Sequence, residues 1–566
     1  MFIDKVPNRG SRPTILLREA HREGKKTFKT TLANLTHWPP ERVKALDCFL
    51  KGKTIPASAD SLTIERSLPH GHVEAVLGTM RKLGIATLLS SRPSRERELV
   101  LAMIAQRVLE PCSKLAATRL WHTTTLAGEL GVGDAEPNEL YAALDWLLER
   151  KDAIEQKLAK RHLDEGSRVL YDVSSSSYTG RTCPLAKYGY NRDGEHVPAI
   201  VYGVLTAAAG CPIAVDVYPG NTADPTTIPD QVEKVRVTFG LSRVALVGDR
   251  GMLTQARIDA LREYQGLGWI SALRSSDIRT LVESECLQLS LFDRQNLAEI
   301  TSNDYLGERL VACYNPLLAA DRKRTRTELL AATEQELTRI AAEVARRTKT
   351  PLSAAEIGIK VGRCLGRFKM AKHFHITIED GHMTFARNTP SIEREALLDG
   401  LYVIRTSEPD LSAPDAVRAY KSLEQVEQAF RCLKGIDLRI RPIHHRTEDH
   451  VKAHVFLCLL AYYVEWHMRK TLGSLLFADD ELERTRWTRD PVAPALPSVS
   501  VRKKKQTRRT PEGLPVHSFH TLLRELGTRS KNTCRLGEGK TMIKFEKLTE
   551  PSPLQKQAFK LLGLKF

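Results

Sequence analysis

A chain of 566 residues with 42% hydrophobic and 27% charged residues has an ordinary globular composition and a length suited to about three or four domains. That composition excludes a mostly disordered chain, a collagen-like repeat and a disulfide-dense secreted domain. Lys and Arg number 85 against 68 Asp and Glu, a net charge of +17, and the surplus favours polyanionic partners because each neutralised phosphate releases counterions.

Met1 to Arg12 carries Lys5, Arg9 and Arg12 without an apolar run, which predicts no secretory signal. Residues 13–36 read as two short strands around the polar turn Arg22 to Lys26, and Pro40 to Leu50 as a helix. From Leu68 to Leu163 apolar residues recur at three and four, as in Val73, Val76, Leu77, Met80 and Leu83, which predicts a helical region. Ser113 to Arg119 opens a further helix with basic residues. Residues 1–60 and 61–165 are thus a strand-turn-strand unit with a helix, and a helical region whose basic residues suit either DNA ends or a plain solvated face.

The pattern changes at Arg168. Arg168 to Val173 is a strand ending near Asp172; Ile200 to Ala207 and Pro212 to Tyr218 are two more, joined through Ala209-Gly210. An amphipathic helix, Thr227 to Phe239, precedes an apolar strand, Arg243 to Gly248, that ends at Asp249. Helix Thr254 to Tyr264 and strand Gly268 to Leu273 follow. Apolar strands without alternation are buried on both faces, so residues 166–274 predict the first part of an α/β core built on a mixed sheet.

Residues 275–400 read as an inserted subdomain with a helix over Arg324 to Arg347 and strands near 374–378 and 382–386. Residues 401–475 return to the core as strand Gly400 to Arg405, one long helix Ala413 to Gly435, and a helix Thr447 to Leu472 that is apolar around most of its circumference. Residues 476–566 read as a proline-containing linker followed by a basic tail with the run Arg502 to Arg509, whose simplest reading is a solvated segment. The longest apolar run, Val455 to Val464, is about half of what a bilayer requires, so a soluble cytoplasmic protein without membrane contact is expected.

Three acids carry the chemistry. If the strands that end at Asp172 and Asp249 are neighbours, their carboxylates project from one edge, and paired hard oxygens suit Mg²⁺ or Mn²⁺. Ser174 to Ser177 follow Asp172 and are expected near solvent and phosphate, while a cap on the next turn is the alternative role for Asp249. On the long helix, Tyr420, Leu423, Glu427, Arg431 and Lys434 fall within an arc of about 80° at about 100° per residue, one stripe mixing an aromatic, an acid and two bases. Glu424 at its edge is the rival acid, and a plain surface pair of Glu427 with Arg431 is the alternative.

This helix resembles that of the DDE transposases of bacterial insertion sequences, in the group with a Y-x2-R-x3-E-x6-K helix. Tyr420, Glu427 and Lys434 match, and Leu423 stands in the arginine slot, so Arg431 is assigned its phosphate-binding charge. Tyr188 to Gly194, Pro219 to Asp224 and Val247 to Met252 are also similar to that group, and the resemblance covers about residues 165–470. It implies an RNase H-like mixed sheet with an inserted subdomain, preceded by a mostly helical region. It also implies two Mg²⁺ or Mn²⁺ ions held by Asp172, Asp249 and Glu427, one activating water or a 3′-OH and the other stabilising the leaving oxygen. Tyr420, Arg431, Lys434, Arg250 and Arg192 are the expected DNA contacts. The implied partners are terminal inverted repeats, target DNA and a second copy of the chain in the synapse, with a nucleoid-associated location. A metal-dependent nuclease without joining activity and a non-catalytic DNA-binding protein are the rival functions.

Other signals are weaker. Gly537 to Thr541 shares part of the P-loop pattern, but Cys534 stands where its first glycine belongs. His444, His445, His450 and His454 read as structural or DNA-contacting, Trp269 as core, and ten cysteines without a C-x-x-C pair as reduced thiols.

Overall fold

A computed structural model describes residues 1–8, 11–23, 26–52, 62–292, 295–481, 489–493, 496–536 and 543–565, so Gly537 to Thr541 lies outside the described residues. The chain forms two compact units, Met1–Leu68 with Ser530–Thr549, and Pro69–Arg529 with Glu550–Phe566.

In the smaller unit, β1 (Phe2–Asn8), β2 (Ser11–Glu23) and β3 (Lys26–Asn34) form an antiparallel sheet, with the helix Pro40–Leu50 as expected. β1 was not legible because its alternation is broken by Lys5 and Pro7. A second three-stranded sheet joins β4 (Leu62–Pro69) to the late strands Ser530–Leu536 and Ile543–Leu548.

The larger unit is a mixed α/β structure. Its strands are β5 (Ser167–Ser177), β6 (Ala199–Ala207), β7 (Pro212–Pro219), β8 (Val244–Val247), β9 (Leu267–Ala272), β10 (Leu297–Ile300), β11 (Arg309–Tyr314), β12 (Phe374–Glu379), β13 (His382–Arg387) and β14 (Leu401–Thr406). Eight of them make one sheet in the order β10-β11-β14-β9-β8-β5-β6-β7. β5 pairs antiparallel with β6 and parallel with β8, and β8 pairs parallel with β9; nearly every residue of β6 and β8 is buried, so these strands are covered on both faces as their apolar runs require.

Several expectations change. β5 does not end at Asp172 but runs on to Ser177, because Ser174, Ser175 and Ser176 are buried opposite β6 rather than facing solvent. The stretch 275–400 is not wholly an insertion, since β10 and β11 return to the main sheet beside β14. A separate core, with Leu337, Ile340, Ile357 and Val361 at its centre, is built by helices Pro316–Arg346 and Ala354–Phe368 and the β12–β13 hairpin. Helix 413–435 is two helices, Ala413–Lys421 and Glu424–Lys434. At the break the Leu423 N–H turns to the Tyr420 carbonyl and the Val426 N–H to Leu423, a tighter winding, while Ser422 Oγ donates to the Ala419 carbonyl.

Helix Glu448–Thr471 is buried along most of its length against β7 and the helices Pro137–Leu148 and Arg95–Leu109. The expected tail also folds. Its basic run forms the helix Val499–Thr507, in which Lys504 is buried with Nζ donating to the Gly473 carbonyl at 3.1 Å and paired with Asp480 at 2.9 Å. Phe519, Leu522, Leu526 and Phe559, on the late helices Phe519–Gly527 and Pro553–Leu562, join the main core. Charge runs hide such burial, because a lysine stem is apolar and its head needs only a few carbonyls.

Candidate active site

β5 and β8 are paired from Ser167↔Val244 to Leu170↔Val247. Asp172 lies two residues past that last pair on β5 and Asp249 two residues past it beyond the end of β8, close enough for the Asp249 charge to act on the Asp172 carboxyl. Burial pushes the Asp172 carboxyl up to about 7, against a 2.7 Å hydrogen bond from the Val173 N–H and the attraction of Arg192; the charges of Asp249 and Asp224 add to the rise. Asp249 is exposed at the strand end, and its carboxylate accepts the Tyr420 hydroxyl at 3.0 Å. Burial first, then the Asp249 charge, raises the Tyr420 pKa, so this hydroxyl keeps its proton and donates. The next helix, Gln255–Arg262, has Thr254 in the cap position.

Helix Glu424–Lys434 lies on β5 and β6 because Val426, Ala429, Phe430, Cys432 and Leu433 are buried, with the Phe430 ring 5.9 Å from that of Tyr202. Its first turn is pinned at the β6–β7 turn. Gly210 there has φ +84°, and a Cβ on it would stand 2.7 Å from the Gln425 Cβ, so only glycine fits. Its last residue, Lys434, pairs with Asp193 at 3.4 Å, and Asp193 also accepts the Ser177 N–H at 3.1 Å at the far end of β5. The stripe is therefore held by Asp249 at Tyr420 and by Asp193 at Lys434. Glu424, Glu427 and Arg431 are exposed between those two points. Glu424 acts electrostatically on Lys421, whose Nζ is held by the Val492 carbonyl at 3.0 Å; burial lowers the Lys421 pKa, and Cys313, Asp490 and Glu424 act against that.

Among the basic residues expected to contact DNA, Arg250 and Arg431 are exposed, while Lys434 is paired with Asp193 and Arg192 with Asp224 at 2.5 Å. Asp193 and Arg441, paired at 2.5 Å, complete this end of the stripe without any sequence motif to mark their pairing. Asp193 sits in the Tyr188–Gly194 stretch, directly after Arg192, and no spacing in the sequence ties it to Lys434 or Arg441. Ser175 Oγ accepts the Arg192 N–H at 3.0 Å, and Ser176 Oγ bonds Tyr202 at 2.9 Å, so these serines shape the loop from inside.

A cavity of about 450 Å³ opens one residue past Asp249, lined by Arg250, Gln255, Arg274, Asp277, Tyr305 and Arg405 among others. Arg405 is buried there between Glu308, at 2.6 Å, and Gln255, at 2.9 Å. Trp269 is 4% exposed and its Nε1 donates to Glu308 at 3.1 Å, which makes it a core residue. His454 is also internal, with Nε2 2.9 Å from the Ile440 carbonyl and Nδ1 3.1 Å from Lys114 Nζ.

Among the described residues no helix is long and apolar enough to cross a membrane. Comparison with curated proteins gives no match. A protein-family model described as transposase DDE domain matches residues 165–464, the span from the start of β5 through most of helix Glu448–Thr471. The match takes in more than half of the chain, including Asp172, Asp249, Glu424 and Glu427, and the chain belongs to the transposase DDE domain family.

Proposed function

We propose that the protein is a DNA transposase that binds the terminal inverted repeats of its own element and catalyses strand cleavage and strand transfer. The observation that carries this reading is the juxtaposition of Asp172 and Asp249, with the Asp172 carboxyl pushed up to about 7 by burial and by neighbouring carboxylates. Two neighbouring carboxylates, one half-buried and one exposed, form a hard-oxygen donor set that suits a hard divalent cation. The two aspartates therefore fit Mg²⁺ or Mn²⁺, and Glu427, exposed on the helix that follows Tyr420, is assigned as the third ligand. Two such ions, when bound, supply activation of water or a 3′-OH and neutralisation of the leaving oxygen.

The chain's own groups divide the remaining work. Tyr420 fixes the Asp249 carboxylate through its 3.0 Å hydrogen bond. Glu427 is favoured over Glu424 as third ligand because the charge of Glu424 is shared with Lys421. Arg250 and Arg431, both exposed, are assigned to the DNA backbone, with Arg431 supplying the charge that Leu423 lacks. Lys434 and Arg192 would exchange their carboxylate partners for phosphate on binding. The strand order β7-β6-β5-β8-β9, three antiparallel strands followed by two parallel ones, supports an RNase H-like core. The helical region before β5 is assigned to end recognition, the protein to the nucleoid-associated cytoplasm, and the active form to a homodimer, since two ends must be cut and joined together.

The test is Mg²⁺-dependent cleavage of labelled DNA carrying the element's ends by wild type and Asp249→Ala. Cleavage lost in the variant with binding intact is the expected result, and equal cleavage by both would overturn the assignment. Cleavage without joined product would mark a nuclease instead.

A further inference from the structure

We propose that His162, Cys211 and His467 form a binding site for a zinc-class metal ion, separate from the carboxylates of the active site. His162 is the last residue of the helix Lys151–His162, Cys211 precedes β7 in the β6–β7 turn, and His467 lies near the end of helix Glu448–Thr471. One ligand atom from each, all within 4.8 Å of one another, converges on a single point. Cys211 Sγ is 3.7 Å from His162 Nε2 and 4.0 Å from His467 Nε2. In a tetrahedral site with metal–sulfur and metal–nitrogen bonds of about 2.3 and 2.1 Å, sulfur and nitrogen stand about 3.6 Å apart. The cluster therefore needs only small side-chain adjustments to close on an ion.

The protonation states suit such an ion. Burial lowers both imidazoles, His467 to about 4, so each ring carries one unprotonated nitrogen at neutral pH. Burial raises the Cys211 thiol to about 12, with Lys470 acting the other way, so the thiol keeps its proton until a metal displaces it to solvent. Arg161 and Lys470 are the cations facing the cluster, and both disfavour imidazolium. The fourth position is left to water or to the Tyr463 hydroxyl, 3.0 Å from His162 Nε2.

Two comparable clusters lack these properties. Cys432, Asp437 and Glu465 also converge, but the Arg469 guanidinium already holds Glu465 at 2.5 Å and Asp437 at 3.0 Å, filling the place of a cation. Cys458 lies 3.9 Å from His454 Nε2, yet that imidazole spends one nitrogen on the Ile440 carbonyl and the other on Lys114. At the proposed site a thiolate and two imidazoles select Zn²⁺ or a similar soft ion over Mg²⁺. Bound there, the ion would tie helix Lys151–His162, which leads into β5 and Asp172, to the β6–β7 turn and to the long core helix.

The experiment uses the full chain, stripped with a chelator and titrated with Co²⁺ as the probe in excess Mg²⁺. We expect one equivalent to produce a thiolate-to-cobalt charge-transfer band and tetrahedral d–d bands, both displaced by Zn²⁺. The charge-transfer band should vanish in Cys211→Ser and persist in Cys458→Ser. His467→Ala, which keeps the thiol, should weaken binding by more than about tenfold, since loss of an outer partner of a ligand alone costs about 10–100-fold. Absence of the charge-transfer band in the wild type would overturn the proposal. So would its persistence in Cys211→Ser, or unchanged affinity in His467→Ala.

Discussion

Replacing Asp172 by Asn tests the electrostatics of the carboxylate pair in the metal-free protein. The native carboxyl sits at about 7 against an ordinary 3.8, mainly through burial. At about 1.4 kcal/mol per unit, holding it ionised in the fold costs up to about 4 kcal/mol. The folded chain binds this proton more tightly than the unfolded chain, so its contribution to stability is complete below about pH 4 and is lost as pH rises through about 7. Asn keeps an oxygen for the Val173 N–H, which Asp172 Oδ1 accepts at 2.7 Å, and carries no charge to desolvate. Thermal unfolding in a chelator, followed across that pH range for both proteins, should therefore show midpoints that agree near pH 4 and diverge toward pH 8. The variant should then be the more stable by several degrees, at about 2–4 °C per kcal/mol for a domain of ordinary size. Added Mg²⁺ should raise the wild-type midpoint and move the variant less. A midpoint difference that stays flat with pH, or a variant less stable at high pH, would refute the argument.

Three further outcomes follow from other contacts. Tyr420→Phe removes the donor to Asp249, an interaction with a charged acceptor worth about 1.5–3 kcal/mol, and single-turnover cleavage should slow by about tenfold or more while end binding holds; an unchanged rate would remove Tyr420 from the site. Lys234→Met strips a cation from the buried cluster in which Lys234 meets Glu155 at 2.8 Å and Asp216 at 2.7 Å, leaving carboxylates underpaired. It should destabilise the fold by about 3–5 kcal/mol in a denaturation assay, and a loss below about 1 kcal/mol would contradict that reading. Arg431→Ala should lower affinity for DNA ends and reduce the slope of log K against log salt by about one; an identical slope would mean that Arg431 meets no phosphate.

The larger sheet was legible because fully buried strands leave unbroken apolar runs, as in Val244–Val247 and Ala199–Ala207. Adjacency of the strands carrying Asp172 and Asp249 was a condition in the sequence and is a pairing in the structure. Other features had no local signature. Helical periodicity continues across Ser422 and Leu423, so the break, which comes from tightened backbone hydrogen bonds, was invisible. β10 and β11 are short, and only pairing with β14 joins them to the main sheet. Serines after Asp172 read as solvent-facing because their type is polar, yet partners such as Tyr202 and the Arg192 N–H let them be buried. The pairing of Lys434 with Asp193 spans most of the catalytic region, and sequence spacing cannot encode such a contact.

The central claim is that three acids on β5, at the end of β8 and on helix Glu424–Lys434 act together on DNA. Its most direct test is joining of pre-cut element ends to target DNA in Mg²⁺, comparing wild type with Glu427→Ala and Glu424→Ala. The account predicts joined product from wild type and from Glu424→Ala, and none from Glu427→Ala although it still binds ends. Joining by Glu427→Ala at the wild-type level would contradict the assignment of the third acid.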